Sequence, residues 1–137
     1  MSDPKNLLVA DDDYDNFILT MDALREAGMD CELYWVKDGV ELMDYLLRRG
    51  PYEDASHAPM PNLILLDLNM PRKNGHQALK EIKAHPVLAE IPVVVLTVSD
   101  IKEDMEKSLA LGASSYVNKP KSFERLVEFM KVLKKYL

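Results

Sequence analysis

Apolar residues along this chain fall into short unbroken runs separated by amphipathic stretches, the pattern of strands buried on both faces that alternate with helices. Asn6-Leu7-Leu8-Val9-Ala10 reads as the first strand and stops at Asp11-Asp12-Asp13. Phe17, Met21 and Leu24 then recur at helical spacing, Asp13 is placed to cap that helix, and Gly28 closes it. Glu32 to Lys37 reads as a second strand, and Glu41 to Arg49 as a second helix with Leu42, Tyr45 and Leu46 on one face. Residues 50–61 contain Gly50 and three prolines and form a loop that is long for a β/α protein. Leu63 to Leu66 is a buried strand ending at Asp67, followed by a turn over Met70 to Gly75 and a third helix that buries Ala78, Leu79 and Ile82 and stops near Pro86. Ile91 to Leu96 is the fourth strand, ending at Thr97. Ile101, Met105, Leu109 and Gly112 mark a fourth helix, Ser115 to Asn118 a fifth strand, and Phe123 to Tyr136 the last helix.

Five strands alternating with five helices predict a doubly wound α/β sandwich on a parallel sheet, because each parallel connection is a right-handed crossover. Sites in such sheets lie at the carboxyl ends of the strands, where the strand order reverses. The pattern places Asp11 and Asp12 at the end of the first strand, Asp67 at the third, Thr97 at the fourth and Lys119 at the fifth. These side chains are far apart in sequence and converge on one sheet edge.

Length and composition narrow the functions available. At 137 residues the chain has room for one domain of ordinary size; residues 1–137 are expected to form it, with no output domain after Leu137. A content of 47% apolar residues supports a full core, and 17 Lys+Arg against 23 Asp+Glu give a net charge of −6. That balance disfavours nucleic acid and anionic membrane as partners. Cys31 is the single cysteine; it allows no internal disulfide and is expected to be a small core residue. No basic leader precedes a long apolar run, and no stretch approaches the roughly 18–20 apolar residues of a membrane span, so the default location is the cytoplasm.

Three carboxylates held together repel, and the arrangement is costly unless a cation sits among them. Hard oxygen ligands without Cys or a neighbouring His suit Mg²⁺. A lysine ammonium and a threonine hydroxyl added to that cluster make a cradle for phosphoryl oxygens, with one carboxylate free to act as nucleophile. The chemistry that fits is phosphoryl transfer to an aspartate.

At this point the sequence resembles the receiver domains of two-component response regulators. Val9-Ala10-Asp11-Asp12-Asp13 looks like the acidic pair of that family, and Leu66-Asp67-Leu68-Asn69-Met70-Pro71 with Gly75 looks like its phosphoacceptor and following loop. Leu96-Thr97 and Tyr116-Val117-Asn118-Lys119-Pro120 look like its switch threonine, switch aromatic and Lys-Pro pair. The resemblance covers essentially the whole chain and implies the flavodoxin-like fold. It implies further that Asp67 accepts a phosphoryl group from a sensor histidine kinase. Mg²⁺ would bind Asp12, Asp67 and the Asn69 carbonyl, with Asp11 acting through water, while Thr97 and Lys119 hold phosphoryl oxygens. Tyr116 would turn inward as Thr97 moves, and the Lys119-Pro120 bond would be cis. The loop after Gly50, together with Leu65 to Gly75, is similar to the single-domain regulators that partner bacterial phytochrome kinases. Val98 departs from the family, in which many members carry a smaller residue or threonine; a branched side chain there is expected to restrict access to the phosphorylation pocket.

Other readings fit less well. A haloacid dehalogenase-type aspartyl-phosphate phosphatase, the main alternative, needs a second aspartate two residues after the nucleophile, where Asn69 stands. A flavodoxin-like electron carrier needs a Ser/Thr/Gly-rich phosphate loop where Asp11-Asp12-Asp13 stands. His57, His76 and His85 lack metal-ligand spacing and read as surface residues, and Arg72-Lys73 reads as a solvated turn. On the last helix, Phe123, Leu126, Val127, Met130, Leu133 and Leu137 form a core stripe. Phe129, Val132 and Tyr136 form a second arc, expected to serve a homodimer or another partner. Signalling output is therefore expected to be a contact with a downstream protein or phosphotransfer partner.

Overall fold

In a computed structural model, which describes residues 5–54, 56 and 58–137, the strands are β1 (Lys5–Ala10), β2 (Cys31–Val36), β3 (Leu63–Leu66), β4 (Val93–Thr97) and β5 (Ser115–Asn118). The helices are α1 (Tyr14–Glu26), α2 (Gly39–Leu46), α3 (Gly75–Ala84), α4 (Lys102–Ala110) and α5 (Phe123–Val132). All pairings are parallel and the strand order is β2-β1-β3-β4-β5. The order reverses between β1 and β3, so the carboxyl ends of these neighbours flank a crevice.

Every residue of β3 and β4 is buried, which explains their unbroken apolar runs. Alternate strand residues feed two cores. On one face Leu8, Ala10, Ile64, Leu66, Val93 and Val95 meet the apolar sides of α2 and α3. On the other, Leu7, Val9, Leu63, Leu65, Val94 and Leu96 meet α1 and α5. The predicted caps form: the Asp13 side chain accepts from the Asp15 amide, and Gly28, with φ of +69°, ends the first helix as a left-handed residue.

Several boundaries differ from expectation. Helix α2 stops at Leu46 and not Arg49, since Arg48 takes φ of +60° and turns the chain out of the helix. The last helix is α-helical only to Val132 and tightens to a 3₁₀ turn over Leu133–Tyr136. Phe123, assigned to the core stripe, is 42% exposed at the first turn of α5. Leu137 is half-buried. Phe129 and Tyr136, assigned to the second arc, pack against the α1/α5 core, which leaves Val132 as the arc's exposed member at 57%. Cys31 is half-buried against the same core, and burial pushes its thiol up to about 11, with Asp30 and Glu32 adding to the effect. The Lys119-Pro120 bond is trans, the isomer an X-Pro bond favours by about 0.5–1 kcal/mol.

Two histidines expected at the surface are half-buried and bonded. His76 Nε2 lies 2.9 Å from the Ser108 hydroxyl and joins α3 to α4. His85 Nδ1 accepts the amides of Val87 and Leu88. His57 lies outside the described residues. The apolar series that marked α4 faces solvent: Ile101, Met105 and Leu109 are all exposed.

Candidate phosphoacceptor and cation site

Strand register alone brings the predicted side chains together. Val9 and Ala10 lie level with Leu65 and Leu66, so Asp11 and Asp67 leave adjacent strand ends at the same height. The Asp67 amide donates to the Ala10 carbonyl (2.9 Å) and the Asp11 amide to that of Val36 (3.1 Å). Ladder bonds thus hold both residues up to the rim. Trp35 Nε1 donates to the Asp11 carbonyl at 2.8 Å, while Tyr14 and Phe17 pack on the indole ring.

Asp11 and Asp67 are each only 5% exposed, and such buried charge requires partners. Lys119 Nζ supplies one, donating to Asp11 Oδ2 at 2.9 Å and Asp67 Oδ2 at 3.0 Å. Burial works to lower the Lys119 ammonium's pKa, but bonds and charge from Asp11 and Asp67 outweigh it and raise the value above its ordinary range. The remaining Asp67 oxygen accepts the Asn69 amide at 3.2 Å, and the Asp11 oxygens accept the Asp13 amide and the Asn16 side chain. Asp12 is exposed at the rim. One carboxylate oxygen from each of Asp11, Asp12 and Asp67 falls within a sphere where all lie within 4.8 Å of one another. Three carboxylates against a single ammonium leave an excess of negative charge. A set of oxygen donors with that excess suits a hard divalent cation.

Thr97 is fully buried at the end of β4, and its carbonyl accepts the Lys119 amide at 2.8 Å. Its hydroxyl accepts the Ser99 amide at 3.4 Å. The Tyr116 hydroxyl donates to the Ser99 carbonyl (2.8 Å), which also takes the Asn118 side chain (2.7 Å), and the Ser99 hydroxyl bonds Asp104 on α4. Tyr116 is thereby joined to the strand-to-helix loop that follows Thr97. Val98 is 70% exposed. Five predicted positions, Asp11, Asp12, Asp67, Thr97 and Lys119, therefore share one edge, with Asn69 in the loop beside them.

Sequence reasoning missed Asp38. Its carboxylate caps α2 through the Glu41 amide (2.7 Å) and takes Arg72 Nε and Nη2 at 2.9 and 2.8 Å. An Asp-Gly pair just before an amphipathic run was the available signal for the cap. The pairing with Arg72 joins residues 34 positions apart and had no local signal. Arg72 is accordingly an ion-pair partner, and Lys73 pairs with Glu81; neither is free in a solvated turn.

Comparison with known proteins agrees with this geometry. The family model for the response regulator receiver domain matches residues 7–131. The chain belongs to that family, and its function is that of a phosphoacceptor response regulator of two-component signalling. Among curated relatives, the response regulator Rcp1 of Synechocystis sp. is 37% identical over 133 residues, covering 97% of this chain and 88% of Rcp1. The crystal structure of the phosphorylated cyanobacterial phytochrome response regulator RcpA superimposes with a TM-score of 0.87 at 35% identity, covering 98% of this chain and 94% of that one. The Mn²⁺-bound form of Rcp1 gives 0.85 at 37% identity, covering 96% and 93%. No helix among the described residues is long and apolar enough to cross a membrane.

Proposed function

We propose that Asp67 is the phosphoacceptor and that Asp11, Asp12 and the Asn69 backbone carbonyl join it in holding Mg²⁺. In the transfer, an Asp67 carboxylate oxygen attacks the phosphorus of a phosphohistidine; the P–N bond breaks, a P–O bond forms, and the imidazole leaves. Bound Mg²⁺ would supply positive charge against the carboxylates and the incoming phosphoryl group. Lys119 contributes a second, permanent positive charge already in contact with Asp67, and the Thr97 hydroxyl serves as a donor to the phosphoryl oxygens. Tyr116 reports the change through Ser99 to α4. The reading takes residues 1–137 as one receiver unit that works as a switch and not as a turnover enzyme.

The observation that carries this reading is the forked contact of Lys119 with Asp11 and Asp67, drawn from three separate strand ends. The donor is a histidine kinase in the cytoplasm, and likeness to RcpA and Rcp1 supports a phytochrome as its sensor part. Output passes to a downstream protein or phosphotransfer partner, and a second copy of the chain docks along α5 through the exposed Val132. Sedimentation of a Val132→Glu variant checks the last point: a mass equal to that of wild type overturns it. Incubation with Mg²⁺ and acetyl phosphate followed by intact-mass measurement tests the core of the reading. Wild type is expected to gain one phosphoryl group and Asp67→Asn none; equal gain by both removes Asp67 from the role.

A further inference from the structure

The loop between β3 and α3, residues 67–74, carries Asn69 and has no regular structure of its own. Gly75 anchors its downstream end, donating its amide to the Leu68 carbonyl at 3.0 Å. The packing there is too close for any side chain, since a Cβ on Gly75 would lie 2.6 Å from the Asp67 carbonyl oxygen. The loop's tip is held by different means. Arg72 adopts φ of +64°, a left-handed conformation that non-glycine residues avoid unless contacts enforce it. A tight turn accompanies it, in which the Lys73 amide donates to the Pro71 carbonyl at 2.7 Å, and the turn is tied outward by the fork onto Asp38 and by the Lys73 carbonyl, which accepts the Gly39 amide at 3.0 Å. A Cβ on Gly39 would lie 2.1 Å from that carbonyl oxygen, so the tip of the loop and the start of α2 meet backbone to backbone.

Capping α2 does not by itself require this. A serine or asparagine at position 38 would satisfy the Glu41 amide without burying a charge. Asp38 is 2% exposed, and among the described residues the one cation contacting its carboxylate is the guanidinium from the loop that carries Asn69. Two neighbouring contacts thus tie that loop to the helix that follows β2, the strand on the far side of β1.

We propose that Arg72 is a positioning residue for the cation site. Its fork onto Asp38, with the Lys73–Gly39 peptide bond beside it, fixes the path of residues 68–74 and so pre-sets the Asn69 carbonyl. The inference rests on the site reading above, which gives that carbonyl its part. The latch touches neither the cation nor the phosphoryl group; it lowers the reorganisation needed for the cation to bind, as partners outside the immediate ligand set do elsewhere.

The test measures Mn²⁺ binding to the full chain from the electron paramagnetic resonance signal of the free ion. Arg72→Ala is expected to raise the dissociation constant roughly tenfold, the lower end of what loss of an outer-shell partner does. Asp38→Asn, which keeps the cap, should raise it by the same factor, and the double variant no further, since both remove one interaction. Arg72→Lys should fall between, supplying charge without the fork. In acetyl phosphate labelling, Arg72→Ala should need more Mg²⁺ for half-maximal rate yet reach a rate within about twofold of wild type at saturation. A latch that merely stabilised α2 would instead lower the amplitude of labelling at an unchanged Mg²⁺ requirement. Mn²⁺ affinity in Arg72→Ala equal to that of wild type, with the fold intact by circular dichroism, overturns the proposal. Failure of wild type to bind Mn²⁺, or equal binding by Asp67→Asn, overturns the site reading itself and the role of the latch with it.

Discussion

At the scale of single residues, the site is a problem in buried charge. Among the described residues Lys119 is the sole ammonium in contact with Asp11 and Asp67, and both carboxylates depend on it. Removing one partner from a buried ion pair leaves the others uncompensated, at a cost of roughly 3 kcal/mol or more. Lys119→Met should therefore unfold at lower urea in EDTA by about that amount, and millimolar Mg²⁺ should recover more stability in the variant than in wild type, because the cation takes over the lost charge. Equal recovery in the two would show that the carboxylates do not share one cation. Asp38 gives a pH signature of the opposite kind. Burial works to raise its carboxyl, but the Glu41 amide, the Arg72 hydrogen bond and charge, and the Val40 amide together hold it below the ordinary 3.8. A depressed folded-state value adds stability above the unfolded pKa, and that stability is lost as pH falls through the folded one. The stability gap between wild type and Asp38→Asn should be roughly 1–2 kcal/mol at neutral pH and close as acid unfolding is followed downward from about pH 4; a gap that widens in acid would contradict this.

Among elements, those fixed by burial on both sides were legible in the sequence, and those fixed by a neighbour were not. Strands β1, β3 and β4 announce themselves through runs such as Leu63-Ile64-Leu65-Leu66, every residue of which is buried. Strand ends then place Asp11, Asp67 and Thr97 without further information, which is why most of the candidate site could be read in advance. Helix α4 shows the limit. Its spacing of Ile101, Met105 and Leu109 has the helical period, yet all three are exposed, because periodicity identifies an apolar face but does not show what covers it. The link from Arg72 to Asp38 was invisible for a related reason: two non-neighbouring loops meet only once the sheet is assembled. Gly75 belongs to the same scale, as the residue that starts α3 against the back of Asp67. Gly75→Ala should lose roughly 1–3 kcal/mol of stability, since its Cβ would meet main-chain atoms of Asp67 and Leu68 that cannot swing aside. Phosphorylation by acetyl phosphate should slow in the same variant as Asp67 is displaced. Normal labelling in a folded variant would mean that the loop absorbs the methyl group elsewhere.

For the whole molecule, the charge of −6 is not spread evenly, and part of its acidic excess is the cluster of Asp11, Asp12 and Asp67. A fold that holds three carboxylates together carries a repulsion relieved by a cation that binds the native state and not the unfolded chain. Such binding stabilises by RT ln(1 + [L]/Kd), about 1.4 kcal/mol at ten times the dissociation constant. For a domain of this size that corresponds to a rise of about 3–5 °C in Tm. Asp12 is the exposed member of the cluster, so Asp12→Asn should leave the core untouched and relieve repulsion. Without divalent ions the variant is then expected to melt at or above the temperature of wild type. With millimolar Mg²⁺ the order should reverse, as wild type rises and Asp12→Asn stays nearly level. Differential scanning calorimetry with and without Mg²⁺ checks the crossing, and parallel shifts in the two proteins would remove Asp12 from the cation site. The reversal separates a ligand from a structural acid, because a carboxylate that only supported the fold would lower the melting temperature in both buffers when replaced.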